Sequence, residues 1–169
     1  HMFGFSGIVY ILSGSPYKQW DGTTFQDVHG YRPLVRVSVP PVGGGEKMEE
    51  INRLCGERRL WISPDGTEKT FALPEKNIQS VDYVKSFATG QNIATSEYTV
   101  DLTAGTVTFS EAPAQSVNAY EIGWTVATTF RSQVTAMRYS EFYNSTQDTR
   151  VFIYGDGSNK ALYSGIDYD

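Results

Sequence analysis

Serine-type nucleophilic chemistry needs a histidine beside the nucleophile, and this 169-residue chain has two, His1 and His29. With His1 at the extreme N-terminus only His29 is left as a base, and no Gly-x-Ser-x-Gly elbow surrounds any serine. His29 therefore reads as a surface turn residue. Cys55 is the single cysteine, so an intrachain disulfide is excluded and a zinc site would need its ligands from elsewhere. On the apolar side of a short helix it reads as packing. Gly43-Gly44-Gly45-Glu46-Lys47 lacks the Walker spacing and puts an acid where a phosphate would approach. Asp156-Gly157-Ser158-Asn159 lacks the twelve-residue calcium loop with its closing glutamate and reads as a β-turn. Glycoside hydrolysis needs two carboxyl groups about 5–9.5 Å apart. Asp82, Glu97, Asp101, Glu111 and Glu121 are the candidates, but they are spread along strands and turns where solvated faces carry charge. No catalytic residue, metal ligand or cofactor site is assigned, and the chain is read as a non-enzyme.

Aromatic side chains offer binding chemistry instead, because a ring can stack on a sugar or fill a partner's pocket. Trp124 alternates with Tyr120 and Ile122 and belongs to a core. Trp61 points away from Leu60 and Ile62, toward a helix or a surface. Trp20, Tyr31 and Trp61 are the candidates for ligand or partner contact.

The elements that must position these residues are β-strands. Eleven Tyr, nine Phe and sixteen Gly suit pleated surfaces and tight turns. From Arg59 to Val126 apolar residues recur with period two. Leu60 and Ile62, Phe71 and Leu73, Val81 and Tyr83, Tyr98 and Val100, Val107 and Phe109, and Tyr120 to Val126 form strands separated by turns. That spacing points to a sandwich or barrel rather than to parallel βαβ units, and the reading adopted is an all-β fold with an antiparallel β-sandwich over 59–128. Glu46 to Cys55 reads as the one helix, with Met48, Ile51 and Leu54 or Cys55 on one face and Gly56 at its left-handed end, and a structured loop is the competing reading. Residues 40–58 thus form a Gly-rich linker and short helix, and 3–39 an N-terminal hairpin and extended region. Within it Ile8–Leu12 and Tyr17–Trp20 are joined by a turn at Ser13–Pro16. Residues 129–169 form a C-terminal hairpin region, with Thr149–Tyr154 and Ala161–Ser164 as its strands. Val9-Tyr10-Ile11-Leu12-Ser13-Gly14-Ser15 is echoed by Val151-Phe152-Ile153-Tyr154-Gly155-Asp156-Gly157-Ser158, so the two flanking hairpins are able to pair with each other. His1-Met2 reads as a cloning scar, and the stop at Asp169 straight after a strand leads us to expect a longer parent protein.

Fourteen Lys and Arg against nineteen Asp and Glu give a net charge of −5 with no basic run, which argues against nucleic acid as a direct partner. No apolar run of about 18 residues is long enough to span a bilayer, so membrane insertion is not expected.

Two segments carry a resemblance. Pro64-Asp65-Gly66-Thr67-Glu68-Lys69-Thr70-Phe71-Ala72-Leu73-Pro74, followed by Glu97-Tyr98-Thr99-Val100-Asp101-Leu102-Thr103-Ala104-Gly105-Thr106-Val107-Thr108-Phe109-Ser110-Glu111-Ala112-Pro113, resembles a β-sandwich module common in phage and prophage virion proteins. The flanks Trp20–Phe25 and Arg150–Asp156 look like strand pairs from propeller-like phage tail or head-to-tail proteins. The resemblance implies a virion structural protein, made in the bacterial cytoplasm and contacting other virion proteins, with homo-oligomerisation set by the larger assembly. A receptor- or carbohydrate-binding module, with a host-surface glycan as its ligand, is the alternative.

Overall fold

The computed structural model describes residues 1–13, 16–127, 130–144 and 149–165. The fold is all-β, with several antiparallel sheets and one short helix, and the chain divides into two compact units. Unit 1 combines His1–Gly30 with Thr129–Asp169, and unit 2 is Tyr31–Thr128.

Unit 1 opens with a four-stranded meander, β1 (Met2–Phe5), β2 (Ile8–Leu12), β3 (Tyr17–Trp20) and β4 (Phe25–Asp27), hydrogen-bonded in that order. The expected scar residue Met2 lies in its first strand, opposite Ile11. Residues 14 and 15 of the expected β2–β3 turn lie outside the described residues.

Unit 2 is a sandwich of a five-stranded and a three-stranded sheet. Its strands are β5 (Leu34–Val39), β6 (Glu46–Lys47), β7 (Glu57–Ile62), β8 (Thr70–Ala72), β9 (Ser80–Ser86), β10 (Tyr98–Asp101), β11 (Thr106–Phe109) and β12 (Tyr120–Thr125). They are ordered β6-β5-β7-β12-β9 in one sheet and β10-β11-β8 in the other. Period-two alternation turns Leu60, Ile62, Val84, Ile122 and Trp124 of the larger sheet onto Phe71, Val107 and Phe109 of the smaller, and all eight are buried. Each such side chain contributes about 1.5–3 kcal/mol by leaving water. The outer face of the smaller sheet carries Thr70 and Thr108, whose hydroxyls meet at 2.9 Å, and is polar as a solvated face should be.

Two expectations are corrected here. The compact unit begins at Tyr31 rather than Arg59, because β5 pairs in parallel with β7, Leu34 opposite Arg59 and Val39 opposite Ile62. The helix over Glu46–Cys55 does not form. Its first residues pair with β5, Glu46 opposite Val37 and Lys47 opposite Arg36, and the pairing continues as Met48 N and Glu49 N donate to Val35 O and Leu34 O. Three apolar residues at helical spacing cannot outweigh that edge in a segment marginal for a helix, and Met48 and Ile51 stay exposed. Gly56 serves close approach instead of a left-handed cap: a Cβ there would stand 1.9 Å from Val126 O. The helix that does form is α1 (Arg131–Thr135), which buries Val134.

The chain then completes unit 1 with β13 (Tyr139–Asn144), β14 (Thr149–Tyr154) and β15 (Ala161–Tyr163), a three-stranded antiparallel sheet in which β14 is central. The two flanking regions do associate, but through side chains rather than as one hydrogen-bonded sheet. Phe142 packs edge-on against Phe3, His1 Nε2 and Ser140 Oγ are 2.7 Å apart, and Arg131 Nη1 donates to Val28 O at 2.8 Å. Buried Phe3, Leu12, Tyr17, Val134, Met137, Val151 and Ile153 supply the apolar side chains of this unit's core.

Candidate functional site

Four aspartates are committed to turns. Asp21 Oδ1 accepts Thr23 N at 2.8 Å and Thr24 N at 2.7 Å. Asp65 Oδ1 accepts Thr67 N, Thr67 Oγ1 and Glu68 N, and Asp101 Oδ1 accepts Thr103 N and Ala104 N. Asp156 Oδ1 does the same for Ser158 N and its hydroxyl. These are Asx turns, in which a short carboxylate replaces a backbone acceptor. Backbone N–H donors hold Asp21 and Asp65 below the usual carboxylate range, and the Ser158 hydroxyl followed by its N–H does so for Asp156. Such groups stay ionised and are poor proton donors. Asp65-Gly66-Thr67 and Tyr98-Thr99-Val100-Asp101 thus have a local physical role, closing a loop and a hairpin.

Glu121 is different, since it lies on the outer face of the five-stranded sheet yet is only 7% exposed. Its Oε2 accepts Trp61 Nε1 at 2.8 Å and Arg59 Nη1 at 3.1 Å, and its Oε1 accepts Tyr83 OH at 2.8 Å. Burial alone would raise its pKa, but the Trp61 and Tyr83 hydrogen bonds and the Arg59 charge outweigh it and hold the carboxyl below the ordinary glutamate range. Alongside, Arg32 pairs with Asp82 at 2.7 Å and lies 5.1 Å from the centre of the Tyr83 ring. Gly123 sits beneath that stack, where a Cβ would come within 2.4 Å of both Arg32 Nη1 and Tyr83 Cε1. The carboxylate's neighbours are donors from its own sheet, so the cluster locks three strands together.

A consequence is testable. Because the folded-state pKa of Glu121 lies below its unfolded value of about 4.3, its contribution is fully present above that value and is lost as pH falls through the folded-state pKa. Glu121→Gln should cost about 2 kcal/mol at neutral pH, because its amide nitrogen then faces donors. In urea titrations the gap from wild type should narrow as pH falls below about 4. A gap independent of pH would show that the carboxylate charge plays no part.

A second carboxylate faces the core side. Arg58, 4% exposed, donates from Nη1 to Gly56 O at 2.9 Å and holds Nε 2.9 Å from Glu75 Oε1. The Nε–H is not aligned as a hydrogen bond, so the contact is Coulombic. Glu75 Oε2 accepts Trp124 Nε1 at 3.1 Å. This triad closes one end of the sandwich.

His29 is exposed, and Cys55 is half-buried with Sγ 3.5 Å from Tyr31 O. Burial raises the thiol's pKa, which opposes thiolate formation. Among the described residues no group of three His, Cys, Asp or Glu could hold a metal ion.

Of the three aromatic candidates, Trp61 is half-buried, bound to Glu121 and edge-on to Phe87. Tyr31 is 58% exposed, with its carbonyl held by Asn52 Nδ2. Trp20, 45% exposed, lies in unit 1 on the outer face of β3. Tyr31 and Trp61 belong to unit 2, so the three do not make one cluster within a unit. The larger aromatic surface escaped sequence reading. On the outer face of β13–β15 stand Tyr139, Tyr143, Phe152, Tyr154 and Tyr163, and Arg150 lies 5.1 Å from the Tyr163 ring centre. Tyr143, Arg150, Phe152 and Tyr163 line an open hollow of about 250 Å³. Its signal was in the sequence: Phe152 and Tyr154 alternate with Val151 and Ile153, so aromatic side chains fall on the face opposite the buried aliphatic ones.

No protein-family model, no curated protein and no solved structure matches the chain.

Proposed function

We propose that the chain is a non-enzymatic structural protein of a phage virion, from the tail or head-to-tail region, working through contacts with other virion proteins. One observation carries this reading. Glu121, Asp65 and Glu75 are committed to hydrogen bonds, a turn and an ion pair, whereas large aromatic side chains stand exposed on outer sheet faces. Resources spent this way suit assembly, since aromatic and arginine side chains dominate protein contact surfaces. The phage-like turn and hairpin pattern supplies the specific assignment. Particles purified from the producing strain and analysed by mass spectrometry should contain the chain in fixed ratio to the major capsid protein. Its absence from intact particles would refute the assignment.

A glycan-binding role is the second reading, favoured by the exposure of Trp20 and of Tyr163, the latter 60% exposed. A glycan array on which wild type binds and Trp20→Ala or Tyr163→Ala does not would move the balance to it.

A further inference from the structure

Unit 1 is built from two stretches of chain, His1–Gly30 and Thr129–Asp169, whose covalent link runs entirely through unit 2. The two ends of unit 2 are therefore the joints of unit 1. On the outer face of the five-stranded sheet one side chain straps those ends together. Arg32, the second residue of unit 2, places Nη2 2.7 Å from Asp82 Oδ2 on β9 and 3.5 Å from Glu57 Oε1 at the start of β7. To reach Asp82 it crosses β12, where Gly123 leaves it room: a Cβ there would come within 2.4 Å of Arg32 Nη1. Asp82 Oδ2 also accepts the hydroxyl of Thr125, the last residue of β12, at 2.8 Å. The entry is in this way tied to the strand by which the chain leaves. Pro33 brings no N–H to the ladder, but its carbonyl accepts Arg59 N at 3.0 Å. Val126 N donates to Gly56 O at 2.9 Å and fixes the exit on the other side of β7. The Arg32 and Asp82 side chains are only 20% and 24% exposed, so their pair escapes much of the screening that weakens surface pairs.

We infer that the Arg32 strap is a conformational device that couples the two units, holding the ends of unit 2 together so that the two halves of unit 1 can meet. An unfolded chain of this length parts its ends by on the order of 50 Å. In folded unit 2 the ends leave from β5 and β12, two strand spacings or ~10 Å apart. The loop of roughly 100 residues that unit 1 has to close is thus closed by the folding of unit 2, the effect a crosslink has. Unit 1 shows the matching closure on its own side. Arg131 Nη1 donates to Val28 O at 2.8 Å, which brings together two residues that each lie close to a joint. Coupling between two equilibria is reciprocal, so folded unit 1 opposes fraying at the ends of unit 2 to the same degree. The device needs nothing outside the chain and is independent of the virion reading, whose test is particle composition.

Peptide-resolved hydrogen exchange on the full chain tests it. Arg32→Ala should speed exchange in β2 and β14 of unit 1 by roughly 5–150-fold, the usual span of a coupling, although the substitution lies in unit 2. Arg32→Lys keeps the charge but not the planar guanidinium, and should give a smaller acceleration in the same strands. Val107→Ala controls for lost stability. Val107 is wholly buried on β11 of the other sheet, so its truncation weakens unit 2 away from the joints and should accelerate unit 1 less than Arg32→Ala does. In the reverse direction Leu12→Ala, in the core of unit 1, should speed exchange at the ends of β5 and β12. If Arg32→Ala does not fold, Arg32→Lys and Leu12→Ala decide the matter. Unchanged exchange of β2 and β14 in the Arg32 variants, equal acceleration by Val107→Ala and Arg32→Ala, or a Leu12→Ala chain whose β5 and β12 exchange as in wild type would each overturn the inference.

Discussion

Glu75→Ala should destabilise unit 2 by about 3–5 kcal/mol, a large share of the roughly 5–15 kcal/mol that holds a domain folded. The cost comes less from the lost attraction than from the guanidinium left behind. Arg58 enters the sandwich from the inward-facing side of β7, in line with Leu60 and Ile62, and is 4% exposed. With Glu75 gone, one carbonyl contact at Gly56 remains, and the Trp124 indole N–H loses its acceptor in the same step. Glu75→Gln separates the two effects, since the amide oxygen can keep the indole bond while the charge is removed. Replacing both partners, Arg58→Met with Glu75→Gln, should recover most of the loss because no buried charge is stranded. Chemical denaturation of the four proteins checks this. Glu111→Ala, at a side chain 94% exposed, should stay within about 0.5 kcal/mol of wild type. An equal, small effect from Glu75→Ala would mean that Arg58 reaches water.

Gly105→Ala should cost about 3 kcal/mol or more, for two separable reasons. Gly105 closes the β10–β11 hairpin at φ +68°, a left-handed conformation that disfavours any Cβ. In addition, a Cβ there would stand 2.0 Å from Glu75 O, a backbone atom that cannot swing aside. The hairpin is tied in at that point, as Gly105 N donates to Asp101 O and Gly105 O accepts Leu73 N. Gly90 provides the comparison, having nearly the same φ, +69°, with nothing within 4 Å of the built Cβ. Gly90→Ala should therefore cost only about 1 kcal/mol, and the difference between the two measures the clash. Matching losses would assign the whole effect to the backbone conformation.

How far these features were legible follows from the range of the interactions that set them. Turns were legible at Ser63 to Gly66 and at Thr103 to Gly105, where Asp65 and Asp101 accept from donors two or three residues on, because such a contact is a local event. The strands from Leu60 to Trp124 were visible because burial on one face imposes period two. The segment Glu46 to Cys55 misled because its apolar spacing is local, while its actual partner is the backbone of β5. Likewise Glu121 looked like a solvated strand residue. Only the register of β12 against β7 and β9 sets Trp61, Arg59 and Tyr83 around it. The aromatic outer faces of unit 1 were missed for a similar reason: a Tyr or Phe in an edge hairpin is unremarkable until cross-strand partners gather on one side. The weak echo between the two ends did point to a shared unit, though not to its side-chain mode of association.

The split of unit 1 around unit 2 is the claim on which the rest depends. The chain enters unit 2 at β5 and leaves it after β12, strands that flank β7 on either side, with Leu34 opposite Arg59 and Thr125 opposite Glu57. Entry and exit therefore lie about 10 Å apart, two strand spacings, as an insertion requires. The direct test is to express residues 31–127 alone and follow unfolding by tryptophan fluorescence and circular dichroism. The account predicts one cooperative transition, coincident by both probes, in a monomeric β-protein. A chain that stays unfolded, or melts without cooperativity, would contradict it.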